Sequence, residues 1–206
     1  MMNRALALSR RLRVAVEDER VLAAIAAVPR ERFVDDGDQD RAYENVALPI
    51  DCGQTISQPI VIARMLEILE LGPDDRVLDV GTGSGYHAAL LSLLAGEVWT
   101  IERHRNLSAR AQLVLEELGM TNVTCIVGDG YQGLAGRGPF DAINVAAAGR
   151  ELPPALEEQL ADGGRLVAPL GVRRQHLVLV QRTAGGLRRE RLDPVRFVPL
   201  VRDAAG

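Results

Sequence analysis

The chain of 206 residues contains no lysine: all 24 of its basic side chains are arginine. That absence removes the Schiff-base lysine of pyridoxal-phosphate chemistry and the phosphate-binding lysine of Walker-type kinases. Cysteine is scarce as well. Cys52 and Cys125 are far apart with no C-x-x-C pair, and His87, His104 and His176 lack the spacing of metal ligands. Neither a structural zinc nor a disulfide is expected, and each cysteine reads as a small buried hydrophobe. No apolar run approaches membrane-spanning length, and the stretch from Ala5 to Leu8 ahead of Arg10 and Arg11 is too short for a signal-peptide core. A net charge of -4 gives no basic footprint for nucleic acid. The expectation is a cytoplasmic protein with neither nucleic-acid nor membrane partners.

What is present suits one domain. Apolar residues at 47% provide for a sizeable core, and 206 residues are too few for two ordinary domains. The first 35 residues read as helix ending at Pro29, a cap on the core, followed by an ordered loop from Leu48 to Pro59 and a helix from about Ile60 to Leu71. From Arg76 onward strand and helix signals alternate: Val77 to Val80, a helix from Tyr86 to Leu94, Val98 to Ile101, a helix from Leu107 to Leu118, then Val123 to Val127. That order is half of a doubly wound, mostly parallel α/β sheet. Phe140 to Val145 adds a strand, Pro153 to Leu160 a helix, and Gly163-Gly164 a turn into the strand Arg165 to Pro169. His176 to Gln181 and Arg188 to Val201 predict an antiparallel C-terminal strand pair. The expected division is 1–75, helical cap and loop, and 76–206, central sheet and C-terminal strands, within a single domain.

The run V-L-D-V-G-T-G-S-G-Y from Val77 to Tyr86 carries most of the functional signal. An apolar strand ends at Asp79 and delivers the chain to glycines at alternate positions, a turn that brings backbone close to a ligand. The dinucleotide fingerprint needs its third glycine where Tyr86 stands, so hydride-transfer cofactors are disfavoured. Glu102 ends the next strand about 20 residues beyond the first glycine, the separation of an acid that accepts ribose hydroxyls. Asp129 and Gly130, in G-D-G-Y after the third strand, suit an adenine edge. Taken singly, the glycines also fit a plain tight turn, Glu102 a solvated strand end, Asp129 a turn residue and Ser57 a helix N-cap.

The spacing G-x-G-x-G after an acidic strand end resembles motif I of class I S-adenosylmethionine-dependent methyltransferases. A more specific set follows in order: V-P-R-E-R-F-V (28–34), A-Y-E-N (42–45), G-Q-T-I-S-Q-P (53–59), G-D-G-Y (128–131), P-F-D-A-I (139–143), G-G-R-L-V-A-P-L-G (163–171) and R-F-V-P-L (196–200). With these the chain resembles the protein-L-isoaspartate O-methyltransferase family over nearly its whole length.

The resemblance implies a Rossmann-like class I methyltransferase fold and S-adenosyl-L-methionine as cofactor. It implies methylation of the free α-carboxyl group of L-isoaspartyl residues in damaged proteins and peptides, which initiates repair through a succinimide, by an enzyme expected to be a monomer. Ser57 would be the catalytic residue, orienting the substrate carboxylate. Thr55, Ile56, Asp79, Gly81, Thr82, Gly83, Ser84, Glu102, Asp129 and Gly130 would hold the cofactor, and Gln175 stands near a glutamine position of the family. Ala146, within N-V-A-A-A-G, and Val201 depart from the usual family residues near the cofactor, and Leu134 from a usual tryptophan. The alternatives are a methyltransferase acting on aspartate in a dedicated biosynthetic peptide and a non-catalytic protein that retains the cofactor fold.

Overall fold

The computed structural model describes residues 4–202. Its centre is a seven-stranded sheet in the order β5-β4-β3-β6-β7-β8-β9. The strands are β3 (Arg76–Val80), β4 (Glu97–Glu102), β5 (Val123–Val127), β6 (Phe140–Val145), β7 (Leu160–Leu170), β8 (Gln175–Thr183) and β9 (Gly186–Val195). The first five run parallel, and β8 and β9 add on antiparallel. Strand order reverses between β3 and β6, so the carboxyl ends of β3, β4 and β6 bound a crevice at the switch point.

Alternation along the strands sorts the core. Val77, Val98, Ala142 and Val167 join one apolar cluster with helices α1 (Arg4–Leu12), α2 (Glu19–Ala27), α3 (Pro59–Leu69) and α4 (Tyr86–Ser92). Leu78, Trp99, Ile143 and Leu166 enter another, completed by Leu156 of α6 (Pro154–Glu158). Helix α5 (Arg105–Glu117) links β4 to β5.

Five local expectations are corrected. The N-terminal cap is two helices, because Asp18 starts α2 afresh by accepting from Arg20 N at 2.7 Å, and Val14 in the connection is 90% exposed. The segment after Leu48 is a small antiparallel hairpin, β1 (Leu48–Ile50) and β2 (Gln54–Ile56). Cys52 sits at its turn with φ 58°, exposed, and Cys125 is half-buried, so neither is a fully buried hydrophobe. At the end of the chain the last strand stops at Val195. Residues 196–201 turn back over the crevice, where Ala148 N donates to Val198 O (2.7 Å) and Leu200 N to Ala148 O (2.8 Å). The Gly163-Gly164 pair lies within β7, whose register with β6 shifts there, so it is an irregularity inside one long strand and no turn.

Candidate active site

The crevice holds a cleft enclosing about 900 Å³ including its open mouth, within the size range of small-molecule and cofactor sites. Three loops from the carboxyl ends of the sheet build it. Gly81 and Gly83 have φ of 93° and 52°, and Gly81 N donates to Ile101 O at 2.9 Å, which seats the glycine loop against β4. A Cβ on Gly130 would stand 2.6 Å from Val80 Cγ1, so only glycine lets the β5 loop approach β3 this closely. Glu102 is 6% exposed and lines the cleft. Its Oε2 accepts from Gly83 N at 3.0 Å and its Oε1 from His104 N at 2.9 Å. The carboxylate thus locks the glycine loop to the end of β4 and keeps one lone pair on each oxygen for a ligand.

Opposite the glycine loop, β2 brings Thr55, Ile56 and Ser57 to the same cleft. Ser57 does not cap α3. The N-cap is Gln58, and Asn45 Oδ1 accepts from Ile60 N at 3.0 Å, which gives the asparagine of A-Y-E-N its structural role. A second groove opens from this junction, sharing Thr55, Ser57 and Val198 with the cleft and continuing past Gln58, Val61 and Arg196. Gln175 shapes it: its side-chain amide accepts from Phe197 N (2.6 Å) and donates to Phe197 O (3.2 Å), pinning the segment that carries Val198 to Val201.

Nine of the eleven residues singled out in the sequence line the cleft: Thr55, Ile56, Ser57, Gly81, Thr82, Gly83, Ser84, Glu102 and Gly130. Asp79 and Asp129 are not among the lining residues, and for Asp79 full burial corrects the expected ligand contact to support of the loop. Asp79 is 0% exposed beneath the loop, accepting from Thr100 Oγ1 (2.8 Å) and Asn144 Nδ2 (2.7 Å). Burial pushes its pKa up to about 6, partly offset by the Asn144 and Thr100 hydrogen bonds. Asp129 lies one residue from the lining, and its Oδ1 accepts from Tyr131 N at 2.9 Å, an Asx-type turn. The hydroxyls of the glycine loop are also engaged: Thr82 Oγ1 pairs with Thr100 Oγ1 at 2.6 Å, and Ser84 Oγ accepts from Tyr86 N at 3.3 Å. Thr82, 3% exposed, therefore offers the cleft mainly backbone, whereas the Ser84 hydroxyl keeps its donor.

Ile62, Tyr86, His87 and residues 198–200 also line the cleft, and none of them was among the expected site residues. His87 is buried, and desolvation drops its pKa to about 4, so it is a neutral imidazole at neutral pH. Of the departures noted above, Ala146 and Val201 both line the cleft, whereas Leu134 packs against the second apolar cluster.

A family model for protein-L-isoaspartate(D-aspartate) O-methyltransferase matches residues 1–205. The chain is 54% identical over 187 residues to the protein-L-isoaspartate O-methyltransferase of Koribacter versatilis, covering 90% of this chain and 84% of that relative. It is 54% identical to the enzyme of the same name from Pectobacterium atrosepticum, covering 91% and 90%. The fold superposes with a TM-score of 0.86 on a candidate protein-L-isoaspartate O-methyltransferase from Plasmodium falciparum, crystallised with S-adenosyl-L-homocysteine. That structure is 28% identical, and the match covers 96% of this chain and 98% of that one.

Proposed function

This chain belongs to the protein-L-isoaspartate(D-aspartate) O-methyltransferase family, and from that premise we propose how its cleft methylates the α-carboxyl group of L-isoaspartyl residues. The observation that carries the reading is the junction at Ser57, where a cleft walled by the glycine loop and Glu102 meets a groove open to the surface. One compartment suits a small cofactor and the other a peptide.

The residues present fit S-adenosyl-L-methionine. Gly81 to Ser84 offer backbone to its amino-acid end, Glu102 keeps two lone pairs for the ribose hydroxyls, and Gly130 leaves room where any side chain would collide with Val80. When bound, the cofactor supplies an electrophilic methyl group, so that a carboxylate lone pair becomes the new O–C bond while the S–C electron pair stays with sulfur. An α-carboxylate has a pKa of roughly 3.3–3.7 and is already anionic at neutral pH. No base is needed to activate it, in keeping with the burial that holds His87 of the cleft wall neutral.

The work left to the protein is orientation and exclusion of water. Ser57 stands where cleft and groove meet and would donate its hydroxyl to the carboxylate, aiming the second oxygen toward the glycine loop. Thr55, Ile56 and the 198–201 segment close the walls around it. Asp79 supports the loop from below and Asp129 shapes the turn that presents Gly130.

The test is transfer of labelled methyl from S-adenosyl-L-methionine to matched peptides carrying L-isoaspartate or L-aspartate at one position. Labelling confined to the isoaspartyl peptide is expected. Labelling of neither, with cofactor binding established separately, would overturn the reading.

A further inference from the structure

Arg30, in the short turn after α2, has 0% exposure and is among the largest fully buried side chains of the described residues. Its Nε donates to Ala42 O at 2.8 Å and its Nη2 to Ser57 O at 2.9 Å. The guanidinium carbon lies 4.8 Å from the ring centre of Tyr86, which is the first residue of α4 and part of the cleft wall. Nη1 is buried without a hydrogen-bond partner. Arg30 is thus separated from the cleft by no more than Ser57 and Tyr86.

The anomaly is charge. Burial lowers the Arg30 pKa to about 10, with the Tyr86 and Tyr43 phenols partly offsetting it, so the group is a cation at neutral pH. Among the described residues no carboxylate pairs with it. The neighbouring Glu31 carboxylate accepts from the Tyr43 hydroxyl. Two carbonyls and an aromatic face satisfy donors but supply no negative charge, and an uncompensated buried ion is costly to retain. The site above it, on the reading given under Proposed function, receives an anion.

We propose that Arg30 is a positioning residue for the methyl acceptor: it fixes the Ser57 carbonyl, and with it the Ser57 hydroxyl, while its unpaired positive charge favours a carboxylate over an uncharged group at the junction. The same charge has a consequence for turnover. Methylation converts the anion into a neutral ester, so the product loses an attraction that the substrate has. Arg30 therefore favours entry of the acid and departure of the ester. This inference rests on seating the isoaspartyl α-carboxylate at Ser57.

The experiment compares two peptides that differ in one group, an isoaspartyl residue with a free α-carboxylate and its isoasparaginyl counterpart with an α-carboxamide. Dissociation constants are measured on the protein saturated with S-adenosyl-L-homocysteine, for the wild type, Arg30→Met and Arg30→Lys. The wild type is expected to prefer the carboxylate. Arg30→Met lowers that preference at least about tenfold, equivalent to about 1.4 kcal/mol, with affinity for S-adenosyl-L-homocysteine nearly unchanged. Arg30→Lys keeps most of the preference, since it keeps the charge, but loses kcat because one ammonium cannot serve both carbonyls with the planar fork of arginine.

Equal weakening of both peptides in Arg30→Met would reduce Arg30 to a structural strut and overturn the electrostatic role. Should neither variant fold, the salt dependence of the wild type decides. A buried charge is little screened, so the preference persists when salt is raised about tenfold. Its disappearance would assign it to exposed arginines such as Arg196 and overturn the proposal. Failure of the wild type to methylate the isoaspartyl peptide would instead count against the proposed function.

Discussion

Removing the Glu102 carboxylate isolates the cofactor half of the site. Both oxygens of this side chain already hold backbone, Oε2 the Gly83 amide at 3.0 Å and Oε1 the His104 amide at 2.9 Å, and each retains a lone pair. Two ribose hydroxyls donating to those lone pairs make charge-assisted hydrogen bonds worth about 1.5–3 kcal/mol each, so Glu102→Ala loses at least about 3 kcal/mol of binding. That corresponds to weakening by at least about 100-fold. Glu102→Gln keeps one acceptor but turns its amide N–H toward a backbone N–H, and is expected to lie between the two. The assay is calorimetric titration with S-adenosyl-L-homocysteine and with its 2′-deoxy analogue. In the wild type the deoxy compound binds more weakly; in Glu102→Ala the two bind alike, because the partner of the missing hydroxyl is gone. A dissociation constant within about threefold of wild type would refute the ribose contact. A large loss that is the same for both ligands relative to their wild-type values would show that Glu102 serves only to anchor the glycine loop.

Three further substitutions have distinct signatures. Ser57→Ala removes a hydroxyl donor to a charged group worth about 1.5–3 kcal/mol and lowers kcat/KM by about 10- to 100-fold; a comparable loss of cofactor affinity would show that Ser57 is misplaced. Asp79 has a folded pKa of about 6 against an ordinary 3.8, so the folded state holds its proton more tightly. Its contribution to stability therefore declines as pH rises from about 4 to 6 and is flat above, a cost of up to about 3 kcal/mol at neutral pH. Asp79→Asn can repolarise the chain, with Asn144 Nδ2 donating to the new carbonyl, the new amide to Thr100, and Thr100 to Thr82. Urea denaturation should find it more stable than wild type at pH 8 and without the pH 4 to 6 slope; lower stability at pH 8 would refute the burial argument. Gln175→Ala frees Phe197 at both its N–H and its C=O. Hydrogen exchange should speed at the Phe197 and Leu200 amides while β3 and β4 stay protected, and unchanged exchange would mean that Ala148 alone holds the segment.

The central sheet was legible because buried parallel strands are short apolar runs punctuated by glycine, and β3 to β6 begin and end within a residue or so of the expected bounds. The hairpin of β1 and β2 was not. Pro49 argues against a strand, and the turn demands positive φ at Cys52, a residue that gives no turn signal. The site was legible to the resolution of a loop. Position in sequence brought Asp79 and Asp129 to the right strand ends, but whether a side chain faces ligand or core depends on the pleat and on the partners it meets. For Asp79 those partners are Thr100 and Asn144, contributed by β4 and β6 and visible only in three dimensions. Arg30 escaped for the opposite reason: amid P-R-E-R a charged residue reads as solvated, and only the packing of Tyr86 and the Ser57 loop around it buries it.

The chemistry itself explains why no catalytic pair stands out. A nucleophile that arrives ionised removes the need for a matched acid and base, the arrangement that perturbed histidines and carboxylates usually betray. Selection then falls on geometry, and geometry here is held through the main chain. Glu102 holds Gly83, Asn45 holds Ile60, Gln175 holds Phe197 and Arg30 holds Ser57, each a polar side chain bound to a backbone group of another segment. Apart from Glu102, which itself faces the cleft, the side chains that fix the site are thus one step removed from the ligands, and much of what faces the ligands is amide, carbonyl and glycine. In such a site a substitution two layers away acts through displacement of a loop, because the loop is the functional element. This places Arg30 and Gln175 alongside Ser57 and Glu102 in consequence for turnover, although neither carries a group that the reaction consumes.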